Sequence, residues 1–126
     1  MTRILLVDDN DDFRRSLRAV LADAVVDLAV AEARHSGEAM DLLAREPWDV
    51  VLLDLSLPDR SGIEILRDIR RLRPALPVLV MSFHAEAEYT AAARAAGAAG
   101  YLAKGSASGV IAAAIQDAIA ATTVSS

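Results

Sequence analysis

The sequence of 126 residues contains no cysteine, which excludes disulfides, thiolate zinc sites and cysteine nucleophiles. It also lacks an uninterrupted apolar run of about 18 residues, the length that a membrane-spanning helix needs. The apolar run near the N-terminus meets acid at Asp8, too early for the apolar segment of a signal peptide. From these absences we expect a soluble, cytoplasmic protein.

Basic residues are outnumbered, with 13 Lys+Arg against 18 Asp+Glu and a formal net charge of −5. Binding to a phosphate backbone needs clustered Lys and Arg, so we expect no direct nucleic-acid binding by this domain. Lys104 is the only lysine of the chain. The hydrophobic share of 54% and the charged share of 25% are typical of a globular protein, and the length fits one domain.

Short apolar runs alternate with stripes of helical spacing along the chain. The runs predict strands at residues 4–7, 25–31, 50–53, 78–81 and 99–103. The helices that follow are predicted to be capped by Asp11 or Asp12, by Ser36 and by Ser61. A fourth helix is predicted over residues 86–96, and a last helix carries Ile111, Ile115 and Ile119. This alternation predicts an α/β fold: a five-stranded parallel sheet of order 2-1-3-4-5 with five helices on both faces.

The predicted domain covers residues 1–121. Residues 122–126 form a polar tail, which we interpret as the start of a linker to a segment absent from this chain.

Polar residues follow four of the five predicted strands. They are Asp8 and Asp9 after the first strand, Asp54 after the third, Ser82 after the fourth and Lys104 after the fifth. Ligands of such folds bind at the carboxyl ends of the strands, so we expect these side chains to meet at one edge of the sheet.

The chemistry of this set favours a metal ion and a phosphoryl group. Two like charges about 4 Å apart repel by ~1 kcal/mol in water and ~4 kcal/mol at an effective dielectric constant of 20, so the acids need a cation. The hard oxygen ligands suit Mg²⁺. Mg²⁺ and Lys104 would form a cationic pocket for a phosphoryl group, and Asp54 is placed to be its nucleophile. The glycine motifs of nucleotide-binding loops, GxGxxG and GxxxxGK[ST], are absent.

A pattern is completed by Pro58, four residues after Asp54, by Gly62, eight residues after Asp54, and by Tyr101, ahead of Lys104. With the acidic pair and Ser82, it resembles the receiver domain of bacterial two-component response regulators. Residues 48–58 and 100–104 are particularly similar to receivers of the NarL/LuxR-type regulators, which usually carry a C-terminal DNA-binding domain. The resemblance covers residues 3 to about 121 and implies a flavodoxin-like (βα)5 fold.

The resemblance implies a phosphoacceptor with a metal site. Asp54 would accept a phosphoryl group from a sensor histidine kinase or a small phosphodonor. Asp9 and Asp54 would coordinate Mg²⁺ directly, Asp8 would act through water, and the backbone carbonyl of Ser56 would complete the protein ligands.

The resemblance also implies a conformational switch. Lys104 would pair with phosphoryl oxygens, Ser82 would hydrogen-bond one of them, and Tyr101 would rotate inward behind Ser82. The change would reach a surface formed by the fourth helix, fifth strand and fifth helix, where homodimerisation would control transcription through an output domain.

Two positions depart from the family pattern. Gly105 stands where most receivers place proline, and we expect a trans peptide bond before it, because a non-proline cis bond costs about 3–4 kcal/mol. Phe83, after the switch hydroxyl, is larger than the usual residue, and we expect it to slow phosphoryl access.

Two other classes of function stay open from the residues. A Mg²⁺-dependent aspartyl-phosphate phosphatase would need a second acid two residues after the nucleophile, where this chain has Ser56. A pseudo-receiver that only binds proteins is disfavoured, because the acids, the hydroxyl and the lysine are all present.

Overall fold

The computed structural model describes residues 2–57, 59–83 and 87–125, over which five strands and five helices alternate. The strands are β1 (Thr2–Val7), β2 (Leu28–Ala33), β3 (Val50–Asp54), β4 (Val78–Ser82) and β5 (Gly100–Ala103). The helices are α1 (Asp11–Ala24), α2 (Ser36–Arg45), α3 (Gly62–Leu72), α4 (Ala87–Ala95) and α5 (Ser108–Ser125). None of the helices in these ranges combines the length and the apolar character needed to cross a membrane.

The sheet has the order β2-β1-β3-β4-β5, and every neighbouring pair is parallel. This confirms the predicted fold class. The register pairs Val7 with Leu53, Asp54 with Met81, and Ser82 with Ala103. The carboxyl ends of β1, β3, β4 and β5 therefore lie side by side at one edge of the sheet.

Alternate residues of each strand face opposite sides of the sheet and supply two separate cores. Leu5 and Val51 belong to a first core cluster with residues of α2, α3 and α4, whereas Ile4 and Val50 belong to a second core cluster with residues of α1 and α5. All residues of β3 and β4 are buried, as expected for central parallel strands covered on both faces. The helices thus hold the sheet from both sides and fix the positions of its strand ends.

The predicted start of the second strand is wrong. Val25 and Val26 are apolar enough to extend β2, but Val25 caps the end of α1 and Val26 is 90% exposed in the turn. Asp27 has a φ of 57°, a left-handed conformation that Asp tolerates better than most residues. The chain reverses direction here, so β2 begins only at Leu28.

Two predicted helix caps need correction. The cap of α1 is Asn10, whose side chain accepts a hydrogen bond from the Phe13 N–H at 2.9 Å, and Asp12 instead lies in the first turn, where an acid favours the helix dipole. The cap of α2 is His35 and not Ser36. Ser61 does precede α3 as predicted, although its side chain makes no capping bond.

The ends of α4 and α5 add two observations. Gly97, with a φ of 102°, follows α4 in the left-handed conformation that is typical of a glycine ending a helix. Helix α5 continues to Ser125, so residues 122–125 of the predicted polar tail are helical.

Candidate functional site

Buried polar residues mark the carboxyl edge of the sheet. Asp8, Asp54, Ser82 and Lys104 are at most 8% exposed, although Asp and Lys are rarely buried unless they are paired. Asp9 lies next to them and is exposed. The structure therefore brings together the residues that the sequence predicts for one site.

Lys104 forms the centre of the site. Its Nζ lies 2.6 Å from Asp8 Oδ2 and donates a hydrogen bond to Asp54 Oδ2 at 3.1 Å, and its side chain is 3% exposed. The contact with Asp8 is an ion pair whose angles fall outside hydrogen-bond geometry. One buried ammonium thus neutralises part of the charge of two buried carboxylates.

The backbone holds the other oxygen of each buried carboxylate. The Asn10 N–H donates to Asp8 Oδ1 at 2.8 Å, and the Ser56 N–H donates to Asp54 Oδ1 at 2.9 Å. Oxygens of Asp8, Asp9 and Asp54 all lie within 4.8 Å of one another. These three carboxylates form a cluster that could hold a metal ion.

The site keeps an excess of negative charge. Three carboxylates and one ammonium leave two negative charges when all are ionised. Burial raises the pKa of Asp8, and the nearby charge of Asp54 raises it further, against the lowering effect of Lys104 and of the Asn10 N–H. A second cation beside the carboxylates would favour their ionised form and so lower the pKa of Asp8.

Arg14 also supports the site, although the sequence did not indicate it. Its guanidinium is buried and donates to the backbone carbonyl of Asp8 at 2.6 Å and to Glu32 Oε1 at 2.8 Å, and it also pairs with Asp11. Burial would raise the pKa of Glu32, but hydrogen bonds from Arg18 and Arg14 hold it below its usual value. Arg14 therefore ties the loop that carries the acidic pair to β2.

The loop after β3 is fixed by two contacts. A side chain at Gly62 would place its Cβ 2.4 Å from the Leu55 Cα and 2.7 Å from the Leu55 carbonyl oxygen. Asp59 accepts hydrogen bonds from both the N–H and the hydroxyl of Ser36, at the start of α2. Pro58, which belongs to the predicted motif, lies outside the described residues.

The proposed switch residues lie on neighbouring strands. Ser82 ends β4, and its carbonyl accepts the Lys104 N–H at 2.9 Å. Tyr101 lies on β5 opposite Val80, partly buried against the first core cluster. Every peptide bond in the described ranges is trans, including the one before Gly105, as predicted.

The chain matches the response regulator receiver domain family over residues 4–116 and belongs to that family. The response regulator UvrY of Escherichia coli K12 is 36% identical over 107 residues, which are 85% of this chain and 49% of UvrY. The chain thus spans about half the length of that relative. The family and the NarL/LuxR-type resemblance predicted from the sequence are confirmed, and the domain is a signalling domain of two-component systems and not a classical enzyme.

Two solved structures are similar to this chain. A LuxR-family two-component response regulator from Aurantimonas sp. SI85-9A1 has a TM-score of 0.87 and 36% identity, over 96% of this chain and 87% of that one. A response regulator from Burkholderia pseudomallei, solved with a phosphorylated aspartic acid, calcium ion and citrate, has a TM-score of 0.83 and 28% identity, over 99% of this chain and 72% of that one.

We predict that Gly62→Ala destabilises the protein by about 1–3 kcal/mol, because the new methyl group meets backbone atoms that cannot move without displacing the loop after β3. Gly105→Ala is the matched control, since nothing lies within 4 Å of a Cβ at that position. Its effect should stay within about 0.5 kcal/mol. Urea unfolding of the three proteins measures the difference, and equal stability of the two variants would contradict the close packing at Gly62.

We also predict that Asp8→Asn stabilises the protein in the presence of a chelator at neutral pH. The pKa of Asp8 is raised in the folded state, so its ionisation opposes folding, and this cost disappears as the pH falls through the raised pKa toward 3.8. The advantage of the variant in urea unfolding should therefore shrink with falling pH.

The exposed Asp12 supplies the control for this prediction, because Asp12→Asn removes the same charge from the chain without touching the site. A stability gain of Asp8→Asn that is absent at neutral pH, or that grows as the pH falls, would contradict the role assigned to burial.

Proposed function

We propose that this domain is a phosphorylation-dependent switch in which Asp54 accepts a phosphoryl group from a sensor histidine kinase. The observation that carries the proposal is the surroundings of Asp54: a carboxylate 2% exposed, bound by a buried ammonium and clustered with two further carboxylates. The phosphorylated aspartic acid in the Burkholderia pseudomallei regulator supports it.

The transfer follows from the charges of the site. One carboxylate oxygen of Asp54 attacks phosphorus, and the P–N bond of a phosphohistidine breaks as the P–O bond forms. The electron pair stays on the leaving imidazole, which takes up a proton. Lys104, already hydrogen-bonded to Asp54, neutralises charge on the phosphoryl oxygens.

The chemistry of the donor set fits Mg²⁺. Asp9 and Asp54 would hold the ion directly, Asp8 through water, with the carbonyl of Ser56 as the remaining protein ligand. All of these donors are hard oxygens, and oxygens of Asp8, Asp9 and Asp54 lie within 4.8 Å of one another. Mg²⁺ would supply neutralisation of the phosphoryl oxygens.

Ser82 and Tyr101 would relay the phosphorylated state. Ser82 is buried beside Lys104, within the same edge of the sheet, where its hydroxyl would donate to a phosphoryl oxygen. Tyr101 is only partly buried on the next strand, so its ring would be able to move inward. This would alter the surface formed by α4, β5 and α5.

The wider role is proposed from the family. The surface of α4, β5 and α5 would form a homodimer, and the switch would control transcription through a DNA-binding domain, as is usual for regulators of the NarL/LuxR type. We propose a cytoplasmic location on the same ground.

We predict a single phosphoryl adduct on the wild-type protein after incubation with acetyl phosphate and Mg²⁺. The adduct should be absent without Mg²⁺ and absent in Asp54→Asn, because the variant lacks the attacking oxygen. Intact-mass spectrometry measures the adduct. Asp41→Asn, which changes an exposed acid of α2, should be phosphorylated like the wild type.

Three results would contradict this function. An adduct that persists in Asp54→Asn would place the phosphoacceptor elsewhere. A missing adduct, with a hydroxylamine trap excluding rapid hydrolysis, would favour a pseudo-receiver. Steady turnover of a phosphate ester that is lost in Asp54→Asn would favour a phosphatase.

A further inference from the structure

Two aromatic rings cover the ammonium group of Lys104. Its Nζ lies 4.6 Å from the centroid of the Phe13 ring and 5.1 Å from that of Phe83. The two rings contact each other edge to face, with centroids 6.5 Å apart and an interplanar angle of 68°. The ammonium thus lies close to two carboxylates and two aromatic rings.

These distances fall within the range of cation–π attraction, which extends to about 6 Å from a ring centroid and strengthens when the cation is desolvated. An ammonium has three N–H donors, and the carboxylates of Asp8 and Asp54 occupy part of this capacity. The side chain of Lys104 is 3% exposed, so ring faces stand where water would otherwise solvate it.

Phe13 is better placed than Phe83 to hold the ammonium. Its ring is the nearer of the two and packs against the second core cluster. Its N–H is bound by the Asn10 cap, which fixes the first turn of α1. Phe83, by contrast, is 69% exposed and is held less firmly.

We propose that Phe13 is a positioning residue for Lys104. Its ring, assisted by Phe83, holds the ammonium against Asp54 and thereby raises the rate of phosphoryl transfer. The effect of Phe13 on the rate of phosphoryl transfer rests on the proposed function. The effect of Phe13 on the position of the ammonium does not depend on that function.

Attraction between the rings and the ammonium predicts different effects on the phosphorylation rate from steric occlusion of the pocket by the rings. If the rings act by attraction, Phe13→Leu removes the π face at nearly the same volume and slows phosphorylation. If they only obstruct the pocket, Phe13→Leu has little effect, and Phe83→Ala speeds phosphorylation.

The position of the ammonium is tested directly by NMR of the metal-free protein. Lys104 is the only lysine, so isotope labelling of lysine gives a single ε-CH₂ signal. Ring currents should shift its protons upfield in the wild type. We expect Phe13→Leu to move the signal toward that of free lysine, Phe83→Leu to move it less, and Phe13→Tyr to restore it.

The effect on rate is tested with acetyl phosphate at saturating Mg²⁺. We expect Phe13→Leu to lower the initial rate of phosphorylation roughly tenfold, and Phe13→Tyr to keep a rate close to that of the wild type. Val20→Ala is the matched control, because Val20 lies on the same helix and packs against the same cluster but has no part in the site. Urea unfolding verifies that each variant is folded.

An unchanged lysine signal in Phe13→Leu would overturn the proposal, and so would a rate that is unchanged or increased. A failure of the wild type to be phosphorylated would instead refute the proposed function, and the NMR signal would still test the position of Lys104.

Discussion

The buried contact of Lys104 with Asp8 and Asp54 is the interaction on which the rest of the site depends. A lone charge in this environment would cost several kcal/mol, so the buried ammonium of Lys104 needs at least one carboxylate beside it. The parallel sheet makes the contact feasible, because its order places the ends of β1, β3 and β5 at one edge. The flexible stem of Lys104 then reaches across β4 to both acids.

The surrounding residues keep the carboxylates in place. Arg14 binds the carbonyl of Asp8, and the Ser56 N–H binds Asp54. Gly62 allows the loop after β3 to approach α3 closely. The acids are thus held at the carboxyl edge of the sheet by short, anchored loops.

The sequence predicted the structure best for strands that are buried on both faces of the sheet. The apolar runs of β3 and β4 and the polar residues that end them could be predicted, because a central parallel strand tolerates little else. The start of β2 could not, since Val25 and Val26 are apolar without being in a strand. Phe13 was missed as part of the site because Lys104 is distant from it in sequence, and helical spacing does not reveal which residues of α1 face Lys104. Arg14 was missed because its side chain binds a backbone carbonyl, which no residue pattern indicates.

Unfolding in a Mg²⁺ titration measures whether the acidic cluster takes up a cation in addition to Lys104. We expect wild-type stability to rise with the concentration of Mg²⁺, by about 2.7 kcal/mol at 100 times the dissociation constant. Asp9→Asn should lose most of this gain. If Mg²⁺ leaves the wild-type stability unchanged relative to a monovalent salt at equal ionic strength, the cluster is not a cation site.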